Sequence, residues 1–153
     1  MIRDSLGNEE ILNLPKTAFL CSRRVPSSTV LKCYDWAIAQ REAGRCVISG
    51  FHSQMEKDVL HYLLKGTQPI ILALARGLRQ RIEHELQQPL EQGRLVIVTP
   101  FDSSIKWVTS ENAVIRNRMM IEMADEIVVG YSSPNGQLDI LIADYEGREI
   151  IKL

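Results

Sequence analysis

Arg116-Asn117-Arg118 puts two guanidiniums either side of an amide, between Ser110, which fits a helix N-cap, and an apolar run from Ile127 to Tyr131. Cations this close to a buried strand are costly unless an anion or a carboxylate meets them. Further groups suited to anions stand at the ends of other apolar runs: Ser22-Arg23-Arg24, Ser49-Gly50-Phe51-His52-Ser53, Ala75-Arg76-Gly77, Thr99-Pro100-Phe101-Asp102 and the loop from Tyr131 to Gly136. Hydroxyls, unpaired N–H groups at helix starts and planar guanidinium forks are the groups that bind phosphate. Phe51 and Tyr131 add aromatic faces on which a base can stack.

Each of these residues also has a purely structural reading. Ser22 and Ser49 fit caps or turns, Gly50 fits a tight turn or a close helix approach, and His52 fits a loop hydrogen-bonder. Arg116 and Arg118 can pair with Glu111, Glu122 or Asp125. Two steps along a helix turn the side chains well apart, so one of the two arginines is expected to face a crevice and the other to brace a loop or a partner subunit. Asn117 is expected to fix the loop after the following strand.

The elements that must position these groups alternate regularly. Apolar runs predict strands at Thr17 to Cys21, Arg45 to Ser49, Pro69 to Leu74, Leu95 to Val98 and Ile127 to Tyr131. Between them, helices are predicted at about Thr29 to Ala43 (closed by Gly44), Met55 to Lys65, Gln80 to Gln92 with Pro89 as an interruption, and from Ser110 onward. Short continuous apolar strands alternating with helices imply an α/β fold. The expected architecture is a Rossmann-like open, mainly parallel sheet of order 3-2-1-4-5 with helices on both faces. In such a sheet the ligand lies outside the strands' carboxyl ends, at the switch point between the first and fourth strands. Residues 1–16 are expected to be an arm or short helix packed outside the core of a single domain spanning 1–153. The tail from Leu138 to Leu153 fits either a hairpin or, by continuing the alternation, a helix plus a sixth strand at Glu149 to Leu153.

Composition narrows the function classes. The chain has 153 residues, 45% hydrophobic and 24% charged, with a formal net charge of -1. That is ordinary for a folded domain and gives no general affinity for a polyanion, so nucleic-acid binding has to come from a local patch. Arg supplies twelve of the eighteen cations, which favours planar, bidentate partners. Cys21, Cys33 and Cys46 form no CxxC pair and the three histidines no HxxxH pattern, so no disulfide framework or metal site is expected, and Cys21 and Cys46 read as inert buried thiols. No signal peptide or long uncharged apolar stretch is present, which implies a cytoplasmic protein with no membrane partner. The chain has no GxGxxG after the first strand, no GxxxxGK[ST] and no GxSxG, which speaks against ordinary dinucleotide binding, P-loop hydrolysis and acyl transfer. No cofactor is expected.

Several of these segments match one family together. Phe19-Leu-Cys-Ser22-Arg23 resembles the "GSR" element of the DNA-processing protein A (Smf) family, and Ser49 to Ser53 with Glu56 resembles its "SG-x-x-x-G-I-D" turn. Arg116-Asn117-Arg118-Met119-Met120, followed by Ala124 to Val129, resembles "RNRIIAGLSD-x-VLVVE", and Pro134 to Leu138 resembles the later "SGSL" loop. Cys21 stands where that family has Gly, and Gln54 where it has the second Gly of the turn. The resemblance implies a stand-alone core domain of the wider LOG-like (SLOG) nucleotide-binding superfamily. In the family that domain binds single-stranded DNA and dimerises. The resemblance carries Ser22, Arg23, Ser49, Gly50, Arg116, Asn117, Arg118 and Gly136 over as ligand-binding positions, to which Phe51 is added as an aromatic.

The function expected is thus a binding module, with no catalytic residue assigned, for a nucleotide or single-stranded nucleic acid, acting as a homodimer. The alternatives are a LOG-like nucleotide phosphoribohydrolase and an assembly protein without a small ligand. The hydrolase goes with a PGGxGTxxE motif, and Ser132-Ser-Pro-Asn-Gly-Gln-Leu138 lacks its glycine pair, Thr and Glu.

Overall fold

The structure, a computed structural model, describes residues 1–153. A seven-stranded sheet forms its centre. The strands are β1 (Asp4–Gly7), β2 (Lys16–Leu20), β3 (Cys46–Ser49), β4 (Ile70–Ala73), β5 (Leu95–Thr99), β6 (Glu126–Val129) and β7 (Ile150–Lys152). The helices are α1 (Ser27–Ala43), α2 (Gln54–Leu64), α3 (His84–Glu91), α4 (Ser110–Met123) and α5 (Gln137–Ala143). No helix is long and apolar enough to cross a membrane.

The strand order is β1-β5-β4-β3-β2-β6-β7. The fold is α/β and mainly parallel, as the alternation predicts, but the order corrects the expected 3-2-1-4-5. The fourth predicted strand, β5, does not join the first. It pairs with β4, registering Ile70 with Leu95 and Ala73 with Val98. The chain therefore winds one way through β2, β3, β4 and β5; the segment 100–109 then leads it back, and α4 packs over β2 and ends just before Asp125, whose N–H donates to the Lys16 carbonyl at the amino end of β2. The switch point thus lies between β2 and β6, which pair in parallel with Ala18 opposite Ile127.

The N-terminal arm also departs from expectation. Asp4–Gly7 is an antiparallel edge strand on β5, and Ile11, in the 3-10 turn Glu9–Asn13, is buried in the core. The tail is a helix followed by a strand, and β7 extends the sheet beyond β6 in parallel.

Alternation along the strands divides the core in two. Phe19, Val47, Leu72 and Ile97 face α1, α2 and α3. Ala18, Leu20, Ile48 and Ile71 face α4, α5 and the 3-10 turn. Both faces are covered, so the strands read as continuous apolar runs.

Local chemistry sets the helix limits. Gly44 takes the left-handed conformation at φ 72° that stops α1. Ser53 caps α2 in a reciprocal capping box with Glu56. The cap of α4 is Thr109, whose hydroxyl accepts from the Asn112 N–H, and not the expected Ser110. Pro89 does not interrupt α3 but lies buried within it, and the helix is short, beginning only at His84. All three cysteines are free and buried, and burial pushes the Cys46 thiol up to about 12.

Candidate anion-binding site

Arg116 is the side chain on which this site turns. It leaves α4 near the carboxyl ends of β3 and β4 and is only 5% exposed. Its Nε donates to Asn117 Oδ1 at 2.8 Å and its Nη1 to the Ala73 carbonyl at 3.0 Å, while Nη2 makes no hydrogen bond to the protein and reaches the solvent. No carboxylate lies within ion-pair distance of it. Burial lowers its pKa, and the nearby Glu56 only partly offsets this. A guanidinium keeps its charge under any such shift.

Another buried arginine shows what full satisfaction looks like. Arg94 spends all three nitrogens on the carbonyls of Gln68, Leu64 and Leu63, which makes it a cap for the end of α2. Arg116 has no such closure. It forms part of the wall of a cavity of about 550 Å³, well within the size range of small-ligand sites.

Gly50 makes the placement of Arg116 possible. A Cβ at this position would overlap the guanidinium itself. Gly50→Ala should therefore cost roughly 2 kcal/mol, as overpacking of a filled site does. Met at 116 ends short of the clash, so adding Arg116→Met should recover most of that loss. Urea denaturation of the two single variants and the double variant measures the coupling. Additive losses would mean the two positions do not touch.

Glu56 fixes the loops around the cavity. Its carboxylate accepts from the Cys21 N–H at 3.0 Å, from the His52 N–H at 3.0 Å and from the Ser53 N–H at 3.2 Å. One buried acid on α2 thus ties the end of β2 to the β3–α2 turn. In sequence it stood out only as part of a family-like turn, because Cys21 lies thirty-five residues away. Ser49 is fully buried and its hydroxyl accepts from the Phe51 N–H at 3.2 Å, holding a turn in which Phe51 takes φ 45°. Asn117 orients Arg116 and does not fix the β6–α5 loop.

The predicted site residues separate into groups. Gly50, Phe51 and Arg116 line the cavity. Ser22 lies at the neighbouring β2–β6 end, where its hydroxyl accepts from the Ser133 N–H at 3.0 Å, and Gly136 closes a turn onto the Ser133 carbonyl there. Arg23 is exposed, near enough to His52 to affect its titration. The His52 pKa is lowered first by desolvation, then by the positive field of Arg116, with Lys57 and Arg23 adding to it. Arg118 points elsewhere, donating to Asp144 at 2.7 Å with its guanidinium 5.9 Å from the Tyr145 ring centre. Arg116 and Arg118 thus serve different surroundings.

Other contributors escaped the sequence reading. Lys57, Asp58, Glu83 and Val108 also line the cavity, together with Arg76. Asp58 is engaged by the Tyr34 hydroxyl and the Gln54 amide, and Glu83 stands 4.0 Å from Arg76. Glu85 lines the exposed rim as well, and Arg116 is the one charged residue of the lining that is buried.

This sheet order and coverage can be compared with known structures. The chain is similar to DNA processing protein A from Helicobacter pylori, in a structure describing that protein's single-stranded DNA binding mode, with a TM-score of 0.76 and 15% identity over 97% of this chain and 69% of that one. The fold is that of DNA processing protein A. The protein of that name from Streptococcus pneumoniae agrees, with a TM-score of 0.77 and 17% identity over 97% of this chain and 53% of that one. At these identities the DNA processing protein A likeness is one of fold, and the chain spans 69% and 53% of the two structures. No family model matches the sequence, and no curated protein does so significantly.

Proposed function

We propose that this chain is a binding module for a phosphate-bearing ligand, and that the ligand is single-stranded DNA. The observation that carries this reading is the buried Arg116 guanidinium, with Nη2 unpartnered at the wall of an open cavity. A buried cation without a counter-ion is expensive, and a phosphate oxygen supplies both the charge and the missing acceptor. Arg116 is the anchor, Asn117 orients it, Gly50 leaves it room, and Lys57 and Arg76 line the same cavity. Phe51, 5% exposed, is part of the cavity wall and offers no free face for stacking. Support for DNA over a free nucleotide comes from the fold shared with the Helicobacter pylori protein, whose structure concerns single-stranded DNA.

Glu56, the buried acid nearest Arg116, has both oxygens committed to backbone N–H groups, which leaves it poorly placed to act as a general base. Binding without turnover is the reading that fits.

The test is a salt titration of a labelled oligodeoxythymidine, followed by fluorescence anisotropy. With about four phosphates neutralised, the logarithm of affinity should fall against that of salt with a slope near -3, since single strands lose about 0.7 per contact. A flat response would remove phosphate contacts from the account.

A further inference from the structure

We propose that Trp107 is a stacking platform for an unpaired base beside the Arg116 cavity. This rests on the reading that the cavity takes a phosphate of a DNA strand, and it adds the element that would tell a base-bearing strand from phosphate alone. Trp107 is 76% exposed, whereas the other tryptophan, Trp36, is spent on the core, stacked on Phe19 at 4.9 Å. An indole left this open gains nothing from packing.

The loop that carries it is nonetheless fixed. The Gly77 N–H donates to the Ile105 carbonyl at 2.8 Å, the Ile105 N–H to Asp102 at 3.1 Å, and the Arg79 guanidinium to the Lys106 carbonyl at 2.9 Å. Val108, the next residue, lines the cavity. The indole thus stands on a braced segment one residue from the cavity lining, and the Arg79 guanidinium holds the carbonyl of the residue before it.

An exposed aromatic ring one residue from a cavity that holds a guanidinium with a free N–H donor suits a base and its backbone phosphates better than an apolar protein surface. Bases inside a duplex are already stacked on both faces, so a single strand is the form that offers one. The aromatics singled out from sequence are less suited: Phe51 is buried and Tyr131 half-buried.

The experiment compares wild type, Trp107→Ala and Trp107→Phe. Each is titrated with a short oligodeoxythymidine and with an abasic deoxyribose-phosphate strand of the same length. Trp107 is so exposed that all three should melt alike. The proposal expects oligodeoxythymidine to quench the wild-type tryptophan emission. It expects Trp107→Ala to weaken that strand by roughly 5- to 100-fold, Trp107→Phe to keep most of the affinity, and the abasic strand to bind wild type and Trp107→Ala equally. Unchanged oligodeoxythymidine binding by Trp107→Ala would overturn the stacking role and leave the phosphate reading standing. So would an equal loss for both strands, which would place Trp107 against the backbone. If wild type bound neither strand, both readings would fall.

Discussion

Replacing Arg116 by Met is expected to reduce oligonucleotide binding at least 100-fold while leaving the fold as stable as the parent, or more so. The two effects have one cause. In the free protein the guanidinium is buried with one nitrogen unpartnered, and such a charge adds little or negative stability. Met fills similar volume and removes the desolvation cost. It also orphans the Ala73 carbonyl, which offsets the gain by about 1 kcal/mol. The net change should stay within about 1 kcal/mol of zero, or fall on the stabilising side. Binding, by contrast, loses its anchoring charge, a loss on the order of 3 kcal/mol. Arg116→Lys should fall between, since it keeps the charge but not the fork. Melting curves and anisotropy on the same samples check both halves. Marked destabilisation of Arg116→Met would show that the arginine is a structural brace.

Glu56→Ala should do the opposite and damage the fold. Three backbone N–H groups, those of Cys21, His52 and Ser53, would lose their acceptor at once, in a part of the structure where water cannot easily replace it. Losing a buried charged acceptor typically costs about 3 kcal/mol. For a chain of this size that is roughly 6 to 12 °C in melting temperature. Glu56→Gln should lose about half as much, because its carbonyl oxygen can still accept while its amide nitrogen faces a donor. A shift of a degree or two for Glu56→Ala would mean that the loops hold themselves.

How much of this was legible in the sequence follows from what each feature depends on. The strands from Lys16–Leu20 to Glu126–Val129 are continuous apolar runs because both sheet faces are covered, and that pattern is local. Which strands become neighbours is not local. Nothing within Leu95–Thr99 says whether it adds beside β4, as it does, or returns to β2. Asp4–Gly7 carries one apolar residue, Leu6, and it pairs by backbone alone, so an edge strand could not be recognised.

The site divides in the same way. The divergence of Arg116 and Arg118 follows from helix geometry, and Gly50 stood out as a position needing either unusual backbone or close approach. That the close approach is to Arg116 depends on α4 being led back over β2, which sequence spacing does not encode. Trp107 lay in an irregular loop without periodicity, so nothing distinguished a core indole from one left in water.

The most direct test of the central claim is a crystal structure of the protein with a short oligodeoxythymidine bound. A phosphate oxygen is predicted within hydrogen-bond distance of Arg116 Nη2, with Gly50 and Phe51 beside it. A strand bound elsewhere, with the Arg116 cavity holding only solvent, would contradict it.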